Sequence, residues 1–289
     1  MIFAWTGKAL RKVYEIWHLP LPEQPLSLFA LRGGKLVRSR NSWSSQLEIK
    51  TVNLDYRHMR CTFGIWDQRT DRIFAAPGSS VPYIDNVLKA AHRQGIRKGR
   101  GTNQMEPGFY QDLSKGEHLQ GKPMGHAALR QTGYRFYRRC HHAPPYTRKD
   151  PLFYGNPYDN LHCAWNLNVE EPGFRSSGCL VVSGWPHCPR LLESKPNQGG
   201  WKMFHDYLYQ SPQTNFSLLL LPALEIGVSL SRKKSPTRFC FGSQGPKVEE
   251  LQRQLIRGGK LLSKPNGILG PSTYRAWNLS LQHDHPHPT

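Results

Sequence analysis

The sequence predicts an α+β protein, a mainly β domain running to about residue 230 and then a small three-helix bundle. Three observations predict it. The 289 residues include 26 glycines and 23 prolines, both above ordinary usage, which favours many turns over long helices. Between residues 60 and 230 the apolar residues fall in short runs bounded by turn residues, the pattern of strands. Beyond residue 242 they recur at helical spacing. A hydrophobic fraction of 38% is enough for a sizeable core, and the length leaves room for two domains.

Each element follows in order. Residues 1–50 form an N-terminal segment of unknown role, where Pro20, Pro22 and Pro25 interrupt any continuous helix and Arg32, Lys35, Arg38 and Arg40 make a basic run. Its opening places Lys8, Arg11 and Lys12 after a few apolar residues, the reverse of a secretory signal, so none is expected. Residues 60–66 and 72–76 read as two strands joined across the turn-rich 67–71. Residues 83–95 put Ile84, Val87, Leu88 and Ala91 at helical spacing, with Gly95 as the stop. The stretch 96–160 is rich in Gly, Pro, Tyr, His and Arg, with basic clusters at Arg93, Arg97, Lys98 and Arg100 and at Arg135, Arg138 and Arg139. Residues 161–165 and 180–185 read as strands on either side of a loop. The apolar run 216–230, broken by Pro222 and Glu225, is too short for the roughly 20 residues of a membrane helix and reads as a buried strand pair. Residues 231–241 are expected to be a linker and 283–289 a disordered tail.

The charge excludes little but directs attention. Against 20 acidic residues stand 39 lysines and arginines, a formal net charge of +19, which attracts polyanions: nucleic acid, acidic lipid or the anionic polymers of a cell envelope. Six cysteines with no C-x-x-C pair argue against a disulfide scaffold or a structural zinc ribbon.

The C-terminal segment is the most regular. Pro246 sits at a first helical position, Val248, Leu251 and Leu255 follow at i, i+3 and i+7, Asn266-Gly267 forms a turn, and Pro271 opens a second helix carrying Tyr274, Trp277 and Leu281. Residues 242–282 closely resemble the peptidoglycan-binding module. Gly245, Val248, Leu251, Gln252, Leu255, Gly267, Gly270, Thr273, Ala276 and Gln282 fall on its fixed positions, with Asn266 for the usual Asp and Leu269 for the usual Phe.

A cysteine becomes a nucleophile when a nearby base favours its thiolate, and the usual base is a histidine from another stretch of chain. His162 and Cys179 are candidates. If Leu161, Cys163 and Trp165 face the core, His162 and Ala164 face away from it. Gly178 lets a substrate backbone come close to Cys179, and successive N–H groups in such a turn could stabilise an oxyanion. The segment also resembles the L,D-transpeptidase signature, a histidine followed after some fourteen to seventeen residues by Ser/Thr-His-Gly-Cys, an apolar residue and Arg or Asn. Ser176, Ser177, Gly178, Cys179 and Leu180 fit the frame, with Ser177 in place of the second histidine and Val181 in place of the Arg or Asn. No other histidine lies close in sequence to compensate.

The resemblance implies a mainly β catalytic domain over 51–230, with Cys179 as nucleophile and His162 as general base. Ser177 and Gly178 would belong to the catalytic turn, and Ser176 and Asn160 would contact substrate. It implies a peptidoglycan stem peptide as substrate, acted on through a thioester, with no cofactor and no metal. The expected partners are peptidoglycan and anionic envelope polymers, without a membrane span, and the site of action is the cell wall or periplasm, with the export route open between non-classical delivery and a true start that lies elsewhere.

Three other readings remain. Cys140, His141 and His142 with the tail 283–287 raise zinc chemistry, but consecutive residues rarely direct three side chains at one metal. The charge, with aromatics interleaved among arginines at 134–139, raises nucleic-acid binding, without any reader motif and against the C-terminal module. A wall-binding protein without catalytic activity is the third.

Overall fold

The computed structural model describes residues 1–38, 42–93, 101–140, 142, 144–232 and 237–283. The chain opens with β1 (Ile2–Thr6) and α1 (Gly7–Ile16), whose first turn is capped by Thr6, its hydroxyl accepting from the Ala9 N–H at 3.0 Å. Five strands follow: β2 (Leu26–Arg32), β3 (Gly34–Leu36), β4 (Gln46–Thr51), β5 (Cys61–Asp67) and β6 (Arg72–Ser79). After α2 (Ile84–Arg93) come β7 (Thr102–Met105), β8 (Gly108–His118), β9 (His126–Gln131), β10 (Arg135–Cys140), β11 (Leu152–Gly155), β12 (Leu161–Cys163) and β13 (Leu180–Val182). The chain continues with α3 (Gly199–Gln210), β14 (Asn215–Pro222), α4 (Ala223–Ser231), α5 (Pro246–Arg257) and α6 (Pro271–His283).

Eight strands close a barrel in the order β12-β13-β6-β5-β2-β14-β8-β9, and two three-stranded sheets, β1-β4-β3 and β11-β10-β7, lie beside it. The two-residue period of a strand explains how the barrel is filled. On β2, Leu28 and Ala30 join one core with Phe63, Ile65, Phe74, Ala76, Leu161, Cys163, Leu180, Val182, Leu218 and Leu220, while Phe29 and Leu31 join another. The first core is the barrel interior, and Trp201, Phe204 and Leu208 of α3 pack against it. The second is the outer face that packs on α1 and α4 through Leu10, Val13, Tyr14, Trp17, Ala223 and Ile226. β2 is therefore buried at all seven positions, Ser27 and Arg32 included, and lacks the in–out alternation of a half-exposed strand.

The 60–76 hairpin and the helix from Ile84 appear where the sequence places them, and Gly95, like Arg97, Lys98, Arg100 and Arg40, lies outside the described residues. Several boundaries differ. The β domain does not begin at residue 51, because β2 sits hydrogen-bonded between β5 and β14 and completes the barrel. The 216–230 run is one strand and one helix, not two strands: past Pro222 the buried residues Ala223, Ile226 and Gly227 take up the helical period and cover the outer core. Residues 237–241 are not a linker, since Cys240 is buried and the Phe241 carbonyl accepts the Phe109 N–H at 2.8 Å; residues 233–236 lie outside the described residues. The tail 284–289 is likewise outside them.

The segment 242–283 contains two α-helices rather than three. Its middle is held by Gln252, whose amide nitrogen donates to Asn266 Oδ1, the Ile268 carbonyl and Thr273 Oγ1, while its oxygen accepts the Asn266 and Gly267 N–H groups. That buried amide replaces a third helix as the organising element. The unit docks on the second small sheet: the Tyr274 and Phe136 rings lie 4.5 Å apart, the Tyr274 hydroxyl donates to Glu106, and Arg138 donates to Asn278 at 2.9 Å. No described helix is long and apolar enough to cross a membrane.

Candidate active site

Strand register brings the site together. β12 and β13 run parallel with Leu161 opposite Leu180 and His162 opposite Val181. Since Leu161, Cys163, Leu180 and Val182 point into the barrel, the intervening residues Asn160, His162, Cys179 and Val181 lie on the other face. β8 and β9 pair antiparallel with His118 directly opposite His126, so these two side chains share a face as well. The two pairs meet where β9 joins β12. There a ring nitrogen of His118, one of His162 and the sulfur of Cys179 all lie within 4.8 Å of one another. The His118 and His162 rings stack with centroids 4.0 Å apart at 12°, and the His126 ring stands edge-on to His162 at 5.3 Å.

These side chains line a cavity of about 740 Å³ together with Trp165, Trp185, Arg175, Lys89 and Met124. Trp165 leaves the barrel face that its odd position predicts. At φ 60° its backbone turns the ring into the cavity, where Arg175 lies 4.6 Å over it and Trp185 is 5.7 Å away. A second cleft, about 540 Å³ beside α6, has no histidine in its lining and surrounds the Arg138–Glu106 pair that docks the C-terminal helices.

Hydrogen bonds fix where each ring proton sits. His162 Nδ1 is 2.8 Å from the Cys163 carbonyl, an obligate acceptor, so Nδ1 carries the proton and Nε2 keeps its lone pair. His126 Nδ1 donates to the Met124 carbonyl at 2.8 Å, and its Nε2 lone pair faces His162 Nδ1 at 3.4 Å. Asn160 Oδ1 accepts the Gln131 N–H at 3.1 Å, which turns its amide nitrogen to His118 Nδ1 at 3.2 Å. Both ends of the Asn160 amide are thus engaged within the protein, and the residue orients a histidine.

The turn before β13 is internally bonded. The Ser176 hydroxyl donates to the Cys179 carbonyl at 2.6 Å and accepts the Gly178 N–H at 3.2 Å, so neither it nor that N–H is free for substrate. The Ser177 carbonyl accepts the Asn103 N–H at 3.0 Å, leaving its exposed side chain at the cavity wall. Gly178 is required by contact: a Cβ there would lie 2.6 Å from Asp159 Oδ1 and 2.9 Å from the Asn103 Cβ. Asp159 lies beneath the turn, accepting from Asn103 Nδ2 at 3.0 Å. Val181, at the position where the signature has Arg or Asn, is fully buried against Met59, Ala164 and Phe174 and cannot hold a carboxylate.

Burial sets the charge state. It pushes His162 well below the ordinary imidazole value, with His118 and His126 adding to the effect, and it takes His118 down to about 4. Burial raises the Cys179 thiol, and the Asp159 carboxylate raises it further. Asp159 itself is raised by burial to about 6, against the opposing influence of Asn103, Arg135 and Arg139. At neutral pH the pair rests as a thiol beside a neutral imidazole with a free lone pair.

Two histidines and a thiol so close together have the donor chemistry of a transition-metal site. The hydrogen bonds weigh against one. With Asn160 donating to Nδ1, His118 carries its proton on Nε2, so neither of its nitrogens has a free lone pair.

Reading the sequence outward from Cys179 misses His118 and His126, which lie far from it in the chain. Their signal is local: Gly121, Pro123 and Gly125 fall between them, the composition of a hairpin loop, and paired ends of a hairpin share a face. The basic aromatic run 134–139 also has a structural explanation. Arg135 is buried against Asp112 at 2.7 Å and Arg138 against Glu106 at 3.0 Å, so these cations are not displayed to a polyanion. Of the Cys140-His141-His142 run, His141 lies outside the described residues, and His142 Nε2 is 2.7 Å from Asp150.

No family model matches the sequence, no curated protein matches it, and no solved structure matches the fold.

Proposed function

We propose that this protein is a cysteine acyltransferase or peptidase of the L,D-transpeptidase type, acting on peptidoglycan stem peptides through a Cys179 thioester. The observation that carries the reading is a ring nitrogen of His162 within 4.8 Å of the Cys179 sulfur, on a ring whose Nδ1 proton faces the Cys163 carbonyl, at the wall of a cavity of about 740 Å³. His162 takes the thiol proton as sulfur adds to the substrate carbonyl carbon. It returns that proton to the departing amine, leaving a thioester. A second amine or a water then attacks the thioester carbonyl, giving transfer or hydrolysis and restoring the thiol. Because thiol and imidazole are both neutral at rest, proton transfer accompanies attack instead of preceding it.

The cavity suits an anionic peptide. Arg175 and Lys89 stand at its wall, and the Trp165 and Trp185 rings offer apolar surface beside them. Arg175 replaces what Val181 lacks, a cation for a substrate carboxylate. The C-terminal unit, whose sequence resembles the peptidoglycan-binding module, would hold the enzyme on the polymer, aided by the +19 charge. Because that unit packs against the barrel, it presents one fixed orientation to the wall.

The test is mass spectrometry of muropeptides after incubation with the purified protein. The reading expects new crosslinked, exchanged or shortened peptides, their loss in Cys179→Ala, and retained sedimentation of that variant with sacculi. Unchanged muropeptides with the unmutated protein, or undiminished turnover by Cys179→Ala, would refute it.

A further inference from the structure

His118, His126 and His162 form one cluster of rings, and a ring nitrogen of His118 and one of His162 lie within 4.8 Å of the Cys179 sulfur; the three need not have one role. His162 is the base, its Nε2 lone pair free because its one ring proton sits on Nδ1 and donates to the Cys163 carbonyl. His126 is a spectator to the sulfur: Met124 holds its Nδ1 proton, and its lone pair faces His162. His118 differs from both. Asn160 cannot present its oxygen to this ring, because that oxygen already accepts the Gln131 backbone N–H, whose direction β9 fixes. The amide nitrogen must face His118 Nδ1 and donate to it, so the ring carries its proton on Nε2. Burial and the neighbouring His126 ring keep His118 neutral, so it is no cation.

We propose that His118 is a catalytic hydrogen-bond donor whose Nε2–H stabilises negative charge on the Cys179 sulfur. The inference rests on the reading of Cys179 as the nucleophile and deepens it. As His162 Nε2 takes the thiol proton during attack, negative charge develops on the sulfur and His162 becomes an imidazolium; the His118 proton stays on its own nitrogen throughout. A neutral donor suits this place better than a second cation, because a charged ring stacked 4.0 Å from His162 would oppose protonation of the base. The turn has no equivalent donor at Gly178, whose N–H is engaged by Ser176.

The experiment reads the ring and the sulfur separately on the full chain. Proton–nitrogen correlation spectra of isotope-labelled histidine, assigned with His118→Gln, should show His118 neutral and protonated on Nε2 near pH 7. Cys179 alkylation by iodoacetamide, followed by peptide mapping near pH 8, should slow on the order of tenfold in His118→Leu, the loss of one charge-assisted hydrogen bond. His118→Gln, which keeps an N–H donor, should recover part of that rate. An Nδ1-protonated His118, or a His118→Leu alkylation profile superimposed on that of the unmutated protein, would overturn the proposal. The spectra need no variant to fold beyond that used for assignment. Neither readout needs peptidoglycan, so absent muropeptide turnover would strike the substrate assignment alone.

Discussion

At the scale of single residues, the site is governed by what lies beneath the Cys179 turn as much as by the histidines above it. Asp159 is the clearest lever, because its carboxyl is displaced from the ordinary 3.8 to about 6 by burial. A raised carboxyl favours the folded state only while protonated in it. The stabilisation is thus complete below pH 3.8 and is lost as pH rises through 6, above which the fold carries a buried carboxylate. Asp159→Asn keeps an acceptor for Asn103 and removes that charge. It should raise stability above pH 6 by roughly 3 kcal/mol at most, read by denaturant titration at pH 5 and pH 8. It should also speed Cys179 alkylation, since the carboxylate raises the thiol. Equal stability differences at the two pH values would contradict the burial argument. Gly178→Ala acts on the same contact: its Cβ would press on Asp159 and shift the turn, and turnover should fall about a hundredfold while the melting temperature moves far less.

At the scale of elements, period and register explain most of what the sequence shows and what it hides. The β5–β6 hairpin, α2, α5 and α6 were legible because each is an amphipathic or alternating segment with its own turn signals. β2 was hidden because both of its faces are buried, and α4 because a short helix covered on one side by apolar surface has the composition of a strand. His162 was legible from alternation along β12, whereas His118 and His126 depend on which strand lies next to which, a fact of barrel closure that no local window contains. In the C-terminal unit the positions that carry the resemblance are the ones that hold it together: Val248, Leu255 and Ala276 are buried, and Gln252 is its internal hydrogen-bond hub. Gln252→Ala should therefore cost about 2 kcal/mol by removing a buried side chain that pairs the part-buried Asn266 and Gly267 N–H groups. Thermal melts of the full chain check this, and an unchanged midpoint would mean that the hub contributes nothing.

At the scale of the whole molecule, the barrel and the C-terminal helices form one packed body instead of a catalyst and a tethered anchor. Ser243 donates to the Trp17 carbonyl at 2.7 Å, Cys240 is buried in the outer core, and Arg138 links β10 to α6 through Glu106 and Asn278. Replacing Arg138 with Met would leave the Glu106 carboxylate buried beside Tyr274 without its cation, a loss of about 3–5 kcal/mol. Calorimetry should show one transition for the unmutated protein and a lower one for Arg138→Met; two separated transitions would mean independent units. Removal of 237–289 should for the same reason destabilise the barrel and the β11-β10-β7 sheet, exposing Phe109 and Phe136, rather than merely weaken adhesion to sacculi.

The claim on which the functional reading turns is that the Cys179 sulfur becomes acylated by a stem peptide. Intact-protein mass spectrometry after brief incubation with a soluble muropeptide and acid quenching tests it most directly. The expected result is a mass increase equal to the acyl fragment, mapped to Cys179, absent in Cys179→Ala and diminished in His162→Ala. Turnover of the muropeptide without any adduct on Cys179, or an adduct that persists unchanged in Cys179→Ala, would contradict it.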